Sequence, residues 1–423
     1  MSIQRRPFGQ NYAFVVAAAI FVALLAAAGL RSAPGVLILP LEHAFGWSRA
    51  TVSAAAAVGI FLYGLTGPFA AALMQSFGVR KTVTLALLLM AVSTGLSSMM
   101  TQPWQYIATW GVFAGFGSGA VAMVLGATVV NRWFVERRGL MMGLLTASTA
   151  TGTLVFLPAM AWLADSAGWR PVVLTIAAIT GILAPILWFI LPEKPADIGH
   201  LPYGAPADYE PPPPPANGAL SVAFGALARA SKTRTFWLLF TGFFICGLTT
   251  NGLVGAHLIA MCGDHGMAEV QAAGLLAMMG LFDLVGTTLS GWLTDRYDPR
   301  KLLFVYYALR GLSLIVLPYT DFSIVSLSVF AVFYGLDWIA TVPPTVPPTV
   351  RLATETFGDR DGPIVFGWIA AGHQAGAATA AVTAGVIRTV QGSYLEVFVF
   401  AGAAGFLAAG ASLMIRRGAA QTA

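Results

Sequence analysis

The sequence predicts an all-α membrane protein of twelve transmembrane helices, arranged as two six-helix bundles with both termini cytoplasmic. Three observations carry that expectation. Of 423 residues, 57% are hydrophobic and only 10% charged, with a mean hydropathy of +0.76. Soluble domains carry about 25% charged residues, so this chain cannot cover a water-facing surface of its own size. A spanning helix needs about 20 apolar residues, and twelve stretches qualify. Finally, the turn from Ala71 to Lys81 returns as Gly291 to Lys301, each copy closed by a basic pair between two apolar stretches. A membrane-edge turn repeated at that distance describes two similar bundles joined end to end, the architecture that places a substrate site between halves.

Taken in order, the spans fall at roughly 12–39, 50–74, 82–100, 104–130, 139–163 and 169–191, then 236–262, 270–293, 301–318, 322–350, 363–388 and 394–415. Met1 to Asn11 is short and basic, and the apolar run after it continues past signal-peptide length without a clear cleavage site, so it reads as the first membrane helix. Between the sixth and seventh spans lie five consecutive prolines, Pro211 to Pro215, preceded by Asp208 and Glu210. Polyproline is stiff, extended and solvated, which marks an interdomain linker. The predicted organisation is therefore a bundle over 1–192, a cytoplasmic linker over 193–234 and a second bundle over 235–423. Leu220 to Arg234 is mildly amphipathic and basic, suiting a helix on the membrane surface.

Charge sets the orientation. With both termini inside, 18 of the 23 Lys and Arg residues fall on the cytoplasmic side, three (Arg49, Arg170, Arg388) on the other, and two (Arg31, Arg310) within spans. The net charge of +5 therefore reads as a topology signal and not as a nucleic-acid surface, and the expected location is the cell inner membrane. Cys246 and Cys262 lie 16 residues apart, about 24 Å along a helix, too far for a disulfide within it. No metal-ligand spacing, nucleotide-binding loop or clustered nucleophile and base occurs, so no metal, cofactor, ATP use or enzymatic activity is expected.

These features resemble the major facilitator superfamily, whose signature loop carries a Gly, then Asp-Arg, a turn residue and a basic pair. The second copy matches with Gly291, Asp295, Arg296, Arg300 and Lys301; the first keeps Arg80 and Lys81 but has Ala71 for Gly and Gln75-Ser76 for Asp-Arg. The resemblance implies a gating role for both loops, with half of a charged lock absent in the first. Finer features resemble the monocarboxylate transporter branch, including the oxalate/formate antiporters: Phe45-Gly46-Trp47-Ser48, Arg132-Trp133-Phe134, Arg137-Arg138-Gly139, Arg31 late in the first span and Phe282-Asp283 in the eighth. That branch commonly places an arginine one turn after the aspartate to meet a carboxylate; Thr287 stands there instead.

Ionisable side chains inside a span cost a few kcal/mol each and mark candidate sites. Arg31 precedes Pro34-Gly35, expected to interrupt the first helix, and a guanidinium there matches a carboxylate, against snorkelling to the interface as the bland reading. Asp283 and Arg310 sit about 18 and about 15 Å deep on consecutive spans, where an ion pair is feasible, either structural or coupled to protons. Asp337 lies mid-span, with Arg31 or Arg310 as candidate partners. His373, beside Gln374, suits a proton relay or, slightly favoured, neutral packing. His257 reads as a rim residue. The tandem Thr341-Val342-Pro343-Pro344 and Thr345-Val346-Pro347-Pro348 should break the cytoplasmic half of the tenth span.

The sequence reading is thus secondary active transport of a small organic anion, with a monocarboxylate the leading candidate, by alternating access and with proton symport. Arg31, Asp283, Arg310, Asp337 and His373 are the candidate substrate-site residues; the partners are the anion, protons and the lipid bilayer, with no nucleic acid. A multidrug or metabolite exporter is the alternative within transport, and a non-transporting substrate sensor the alternative of another class.

Overall fold

The computed structural model describes residues 12–206, 208–209, 219–345 and 362–415. Regular structure among them is helical, apart from one isolated parallel bridge between Phe134 and Tyr203. In chain order the helices are α1 (Tyr12–Phe45), α2 (Arg49–Ser76), α3 (Val79–Ser97), α4 (Pro103–Trp133), α5 (Arg138–Ala167), α6 (Trp169–Ile190), α7 (Ala219–Ala230), α8 (Arg234–Asp264), α9 (Glu269–Thr294), α10 (Pro299–Val316), α11 (Ile324–Asp337), α12 (Gly362–Gln391) and α13 (Leu395–Leu413). Among the described residues eleven spans are long and apolar enough to cross a membrane, one on each helix except α7 and α12, that of α11 continuing through the following turns to Thr345. α12 is itself a 30-residue helix.

Glycine decides how closely the helices approach. Gly111, Gly115 and Gly119 recur at four-residue spacing on α4, and a Cβ on the first two would sit 3.0 Å from the α2 backbone oxygens of Ala55 and Gly59. Small residues at this spacing let two backbones touch. The N-terminal and C-terminal helices meet along α2 with α12 and along α5 with α9. α1 reaches α8 through Gly35, where a Cβ would lie 2.9 Å from the Gly255 carbonyl oxygen.

Two expectations about prolines change. α1 is not interrupted at Pro34-Gly35: it runs unbroken from Tyr12 to Phe45 through Pro34 and Pro40. A membrane helix tolerates proline where its neighbours pack against it, and most of this helix is buried. In the tenth span the break comes earlier than the prolines, in turns at 338–341 after α11 ends at Asp337. Pro343 and Pro344 clash with the carbonyls one turn back, at Ile339 and Ala340, so disorder of the hydrogen-bond ladder is displaced toward the N-terminus. Val346 to Pro348 of the second tetrapeptide lie outside the described residues.

The linker is only partly free of the fold. Tyr203 donates its N–H to Trp133 O at 2.8 Å and accepts from Val135 N at 2.9 Å, while its ring meets Phe14 at 4.9 Å. The Arg132-Trp133-Phe134 segment thus holds the residues after α6 against the N-terminal helices. The five prolines lie outside the described residues. On α7, Phe224 stands between Phe69 of α2 and Trp368 of α12, with ring centroids 5.8 Å away on each side.

Candidate functional site

Three polar centres interrupt the apolar interior. The first is Arg31, late in α1. Its guanidinium carbon stands 4.6 Å from the centre of the Tyr63 ring of α2. Among the described residues no carboxylate pairs with it, and its Nε is buried without a hydrogen-bond partner. Cation–π contact is worth about 2 kcal/mol when desolvated, and it leaves the charge without a counter-ion. Arg31 is therefore a half-buried cation whose Nε is buried and unbonded.

The next residue after Tyr63, Gly64, abuts the Gln374 side chain of α12. His373, beside Gln374, meets Asn251 of α8 at 3.3 Å. Asn251 lies in a stretch of wide π turns, Leu248–Val254, that interrupts α8. Such turns leave backbone groups loosely paired and re-aim side chains, and they recur at functional sites. Arg31 with Tyr63, and His373 with Asn251, are thus two polar pairs, one in the N-terminal helices and one in the C-terminal helices, each next in sequence to the Gly64–Gln374 contact.

The second centre is closed off inside the C-terminal helices. Arg310 of α10 is 1% exposed. Its Nε donates to Asp337 Oδ2 at 2.7 Å, its Nη1 to Cys246 Sγ at 3.0 Å, and its Nη2 to the carbonyls of Asp337 and Trp338. The feasible Asp283–Arg310 pair is not the one formed: Arg310 takes Asp337, one of the two alternatives the sequence left open. Asp283 Oδ1 instead accepts from Thr287 Oγ1 at 3.0 Å and from the backbone N–H of Ile339 at 2.9 Å. Ser290 of α9 donates to Ala340 O at 2.5 Å, and Thr345 donates to Thr341 O at 2.7 Å.

These bonds share one destination. Backbone groups freed by the turns at 338–341 have no water to turn to in an apolar interior, where each would cost several kcal/mol. Arg310, Asp283, Ser290 and Thr345 supply the partners side chain by side chain. The position occupied by Thr287, where the resemblance implies an arginine, serves the same end by bonding Asp283.

The third centre was missed by sequence reasoning. Arg49, at the start of α2, bonds both oxygens of Asp264 at the end of α8, Nη2 to Oδ1 at 2.6 Å and Nη1 to Oδ2 at 2.7 Å. It also bonds Glu42 of α1 at 3.0 Å and the Tyr394 hydroxyl at 3.1 Å. Arg388 of α12 shares Asp264 at 2.8 Å. His257 is fully buried and not a rim residue: its Nε2–H donates to Ala381 O at 2.8 Å, leaving Nδ1 to accept from Tyr394 at 3.0 Å. Arg49 and Arg388 had registered only as charges outside the spans, and nothing in their spacing along the chain announces a shared aspartate.

The repeated loops lie at the opposite end of the helices from this ionic cluster. In the first, Gly78 has φ +91°, and the Glu193 carboxylate accepts from Val79 N at 2.5 Å and Arg80 N at 3.1 Å. Arg80 lies 4.9 Å over Trp188, and Lys81 is exposed. In the second, Arg296 stacks on Trp292 at 4.0 Å, Arg300 pairs with Asp298 at 2.6 Å, and Asp295 and Lys301 are exposed beyond Gly291. Among the described residues, Arg300 bonds Ile415 O and Arg296 bonds Trp292 O, each at 3.1 Å and both within the C-terminal helices.

Comparison with known proteins agrees with this geometry. The Major Facilitator Superfamily profile matches residues 19–350. Monocarboxylate transporter 13 of Rattus norvegicus is 29% identical over 410 residues, covering 95% of this chain and 87% of its own. The MFS-type transporter YcxA of Bacillus subtilis is 25% identical over 334 residues, covering 77% of each chain. Among solved structures, a bacterial homologue of the human lysosomal transporter Spinster superposes with a TM-score of 0.68 at 16% identity, covering 98% of this chain and 100% of that one, which establishes likeness of fold.

Proposed function

The chain belongs to the major facilitator superfamily, and from that premise we propose that it is a secondary active transporter of a small organic anion, a monocarboxylate, moved by alternating access with protons. The observation that carries the anion is Arg31. Among the described residues, Arg310 is paired with Asp337, whereas Arg31 stands over an aromatic face with no carboxylate partner and an unbonded Nε. A guanidinium offers two parallel donors to a carboxylate, and an unmatched one in an apolar interior favours any anion that completes it. Similarity to proteins named monocarboxylate transporters supports the same class.

In this reading residues 1–192 and 235–423 are the two bundles, 193–234 join them on the cytoplasmic side, and α12 adds the eleventh of twelve spans to a multi-pass inner-membrane protein with cytoplasmic termini. The Arg49–Asp264 contact then closes the outer end, while the loops carrying Arg80, Lys81, Gly291, Asp295, Arg296, Arg300 and Lys301 form the inner gate. Substrate binds along Arg31, Tyr63, Asn251 and His373. Asp283 is the proton-coupling group: neutralising its carboxylate weakens its bond to the Ile339 N–H and loosens the turns after α11. Arg310 and Asp337 hold those turns together from the other side.

Uptake of labelled small acids into proteoliposomes, with and without an inward proton gradient, tests the proposal. The expected result is gradient-stimulated accumulation of one monocarboxylate, reduced at least tenfold in Arg31→Ala and raised in KM by Arg31→Lys, which keeps the charge but loses the fork. Silence across the panel with folded protein would refute it and favour efflux of an apolar substrate.

A further inference from the structure

The third polar centre has an arrangement that a plain cross-link does not need. Arg49 belongs to the N-terminal helices and Asp264 to the C-terminal ones, yet each also holds an oppositely charged partner from its own side. Arg49 has Glu42, at 3.0 Å, and Asp264 has Arg388, at 2.8 Å. The side chains are 7% exposed for Arg49, 20% for Glu42, 19% for Asp264 and 26% for Arg388, so none is freely solvated. Stripping the partner from a buried ion is costly, because the charge left behind has neither water nor a counter-ion.

We propose that these four residues form a partner-exchange latch, in which Arg49–Asp264 closes the outer end and Glu42 and Arg388 hold the same two ions when it opens. The latch rests on the alternating-access reading. As the halves part, Arg49 leaves with Glu42 and Asp264 leaves with Arg388, so each half separates as a neutral pair. In the closed state Glu42 and Asp264 share one guanidinium, and Arg49 and Arg388 share one carboxylate. The Tyr394 hydroxyl, fixed by His257, adds a further bond that exists only when the halves are together.

A simple cross-link predicts that removing any member weakens closure. A partner-exchange latch predicts opposite signs. Arg49→Gln and Asp264→Asn remove the bridge and favour opening, whereas Glu42→Gln and Arg388→Gln remove the resident partners and favour closure. Four positioning residues in one cluster would then split into two classes.

Spin labels on Ala44→Cys and Gln391→Cys, both exposed at this end, report the distance between the halves in the full-length protein in liposomes. Native Cys246 and Cys262 are 2% and 0% exposed, so labelling is confined to the introduced sites. Asp264→Asn and Arg49→Gln should raise the long-distance population about tenfold, the size of one charge-assisted contact. Glu42→Gln and Arg388→Gln should lower it below the unsubstituted level. Uptake measured on the same samples should slow in both classes, since one state becomes overstabilised in each. A shift of the same sign in all four variants overturns the exchange latch, as does no shift in any. Unchanged distances with normal uptake would remove the latch and leave the transport reading standing; unchanged distances with no uptake would remove both.

Discussion

Arg310 is expected to matter more to the fold than any other charged residue in the interior. Replacing it by Gln leaves the Asp337 carboxylate without its ion partner and the Asp337 and Trp338 carbonyls without the Nη2 donor. Orphaning one member of a buried pair costs about 3–5 kcal/mol. Each lost carbonyl bond adds about 0.6 kcal/mol, the average measured inside membrane proteins. Arg310→Gln should therefore destabilise by roughly 4–6 kcal/mol. Asp337→Asn orphans the Arg310 cation but leaves it a neutral side-chain acceptor and both backbone carbonyls, so the loss should fall at the low end of that range, about 3 kcal/mol. In the double variant the orphaned carboxylate is gone, and its loss should fall short of the sum of the singles by about 2 kcal/mol. Reversible unfolding in mixed micelles, followed by tryptophan fluorescence, gives all three values. Arg310→Gln within about 1 kcal/mol of the unsubstituted protein, or less damaging than Asp337→Asn, would refute the account of Arg310 as the brace of the turns after α11.

Two further outcomes follow from single contacts. Asp283→Asn should abolish gradient-driven uptake in proteoliposomes while leaving counterflow exchange; loss of both, with poor folding, would make the residue a brace only. Gly78→Ala should lower stability by at least about 1 kcal/mol, since φ of +91° disfavours a side chain and the Glu193 carboxylate fills the space, and thermal melts of Gly78→Ala beside Glu193→Gln would read it.

Helix boundaries were legible because they depend on local composition. The eighth span, expected at 270–293, is α9 at Glu269–Thr294, and the sixth, expected at 169–191, is Trp169–Ile190. Pro34 and the Pro343-Pro344 pair were harder, since a proline removes the same bond everywhere but the outcome depends on what packs nearby. Partner choice was least legible. Arg310 had two aspartates within reach by depth alone, and the rotation of α9 against α11 decides between them: Gly286 abuts the Leu336 backbone, which brings Asp283 to the Ile339 N–H and leaves Arg310 to Asp337. Asp264 was invisible for a different reason. A carboxylate at a span end contributes little to topology, so it carries no weight until α2 and α12 are brought to either side of it.

The two halves use their interior charges differently, and that difference has a mechanical consequence. In the C-terminal half Arg310, Asp337 and Asp283 are committed to the broken backbone after α11, so a change in the state of any one is felt directly by a main-chain segment. In the N-terminal half Arg31 braces nothing: α1 is unbroken around it, and its Nε is unbonded. Under the proposed function, a ligand at Arg31 would gain binding energy without displacing a structural bond, while a proton at Asp283 would change the backbone without touching the ligand. In that proposal, coupling between them would run through the contact of α2 with α12, where Gly64 meets Gln374 one residue from Tyr63 and His373. A bulkier residue at Gly64 would force that seam apart, and it should uncouple anion binding from proton movement before it abolishes either.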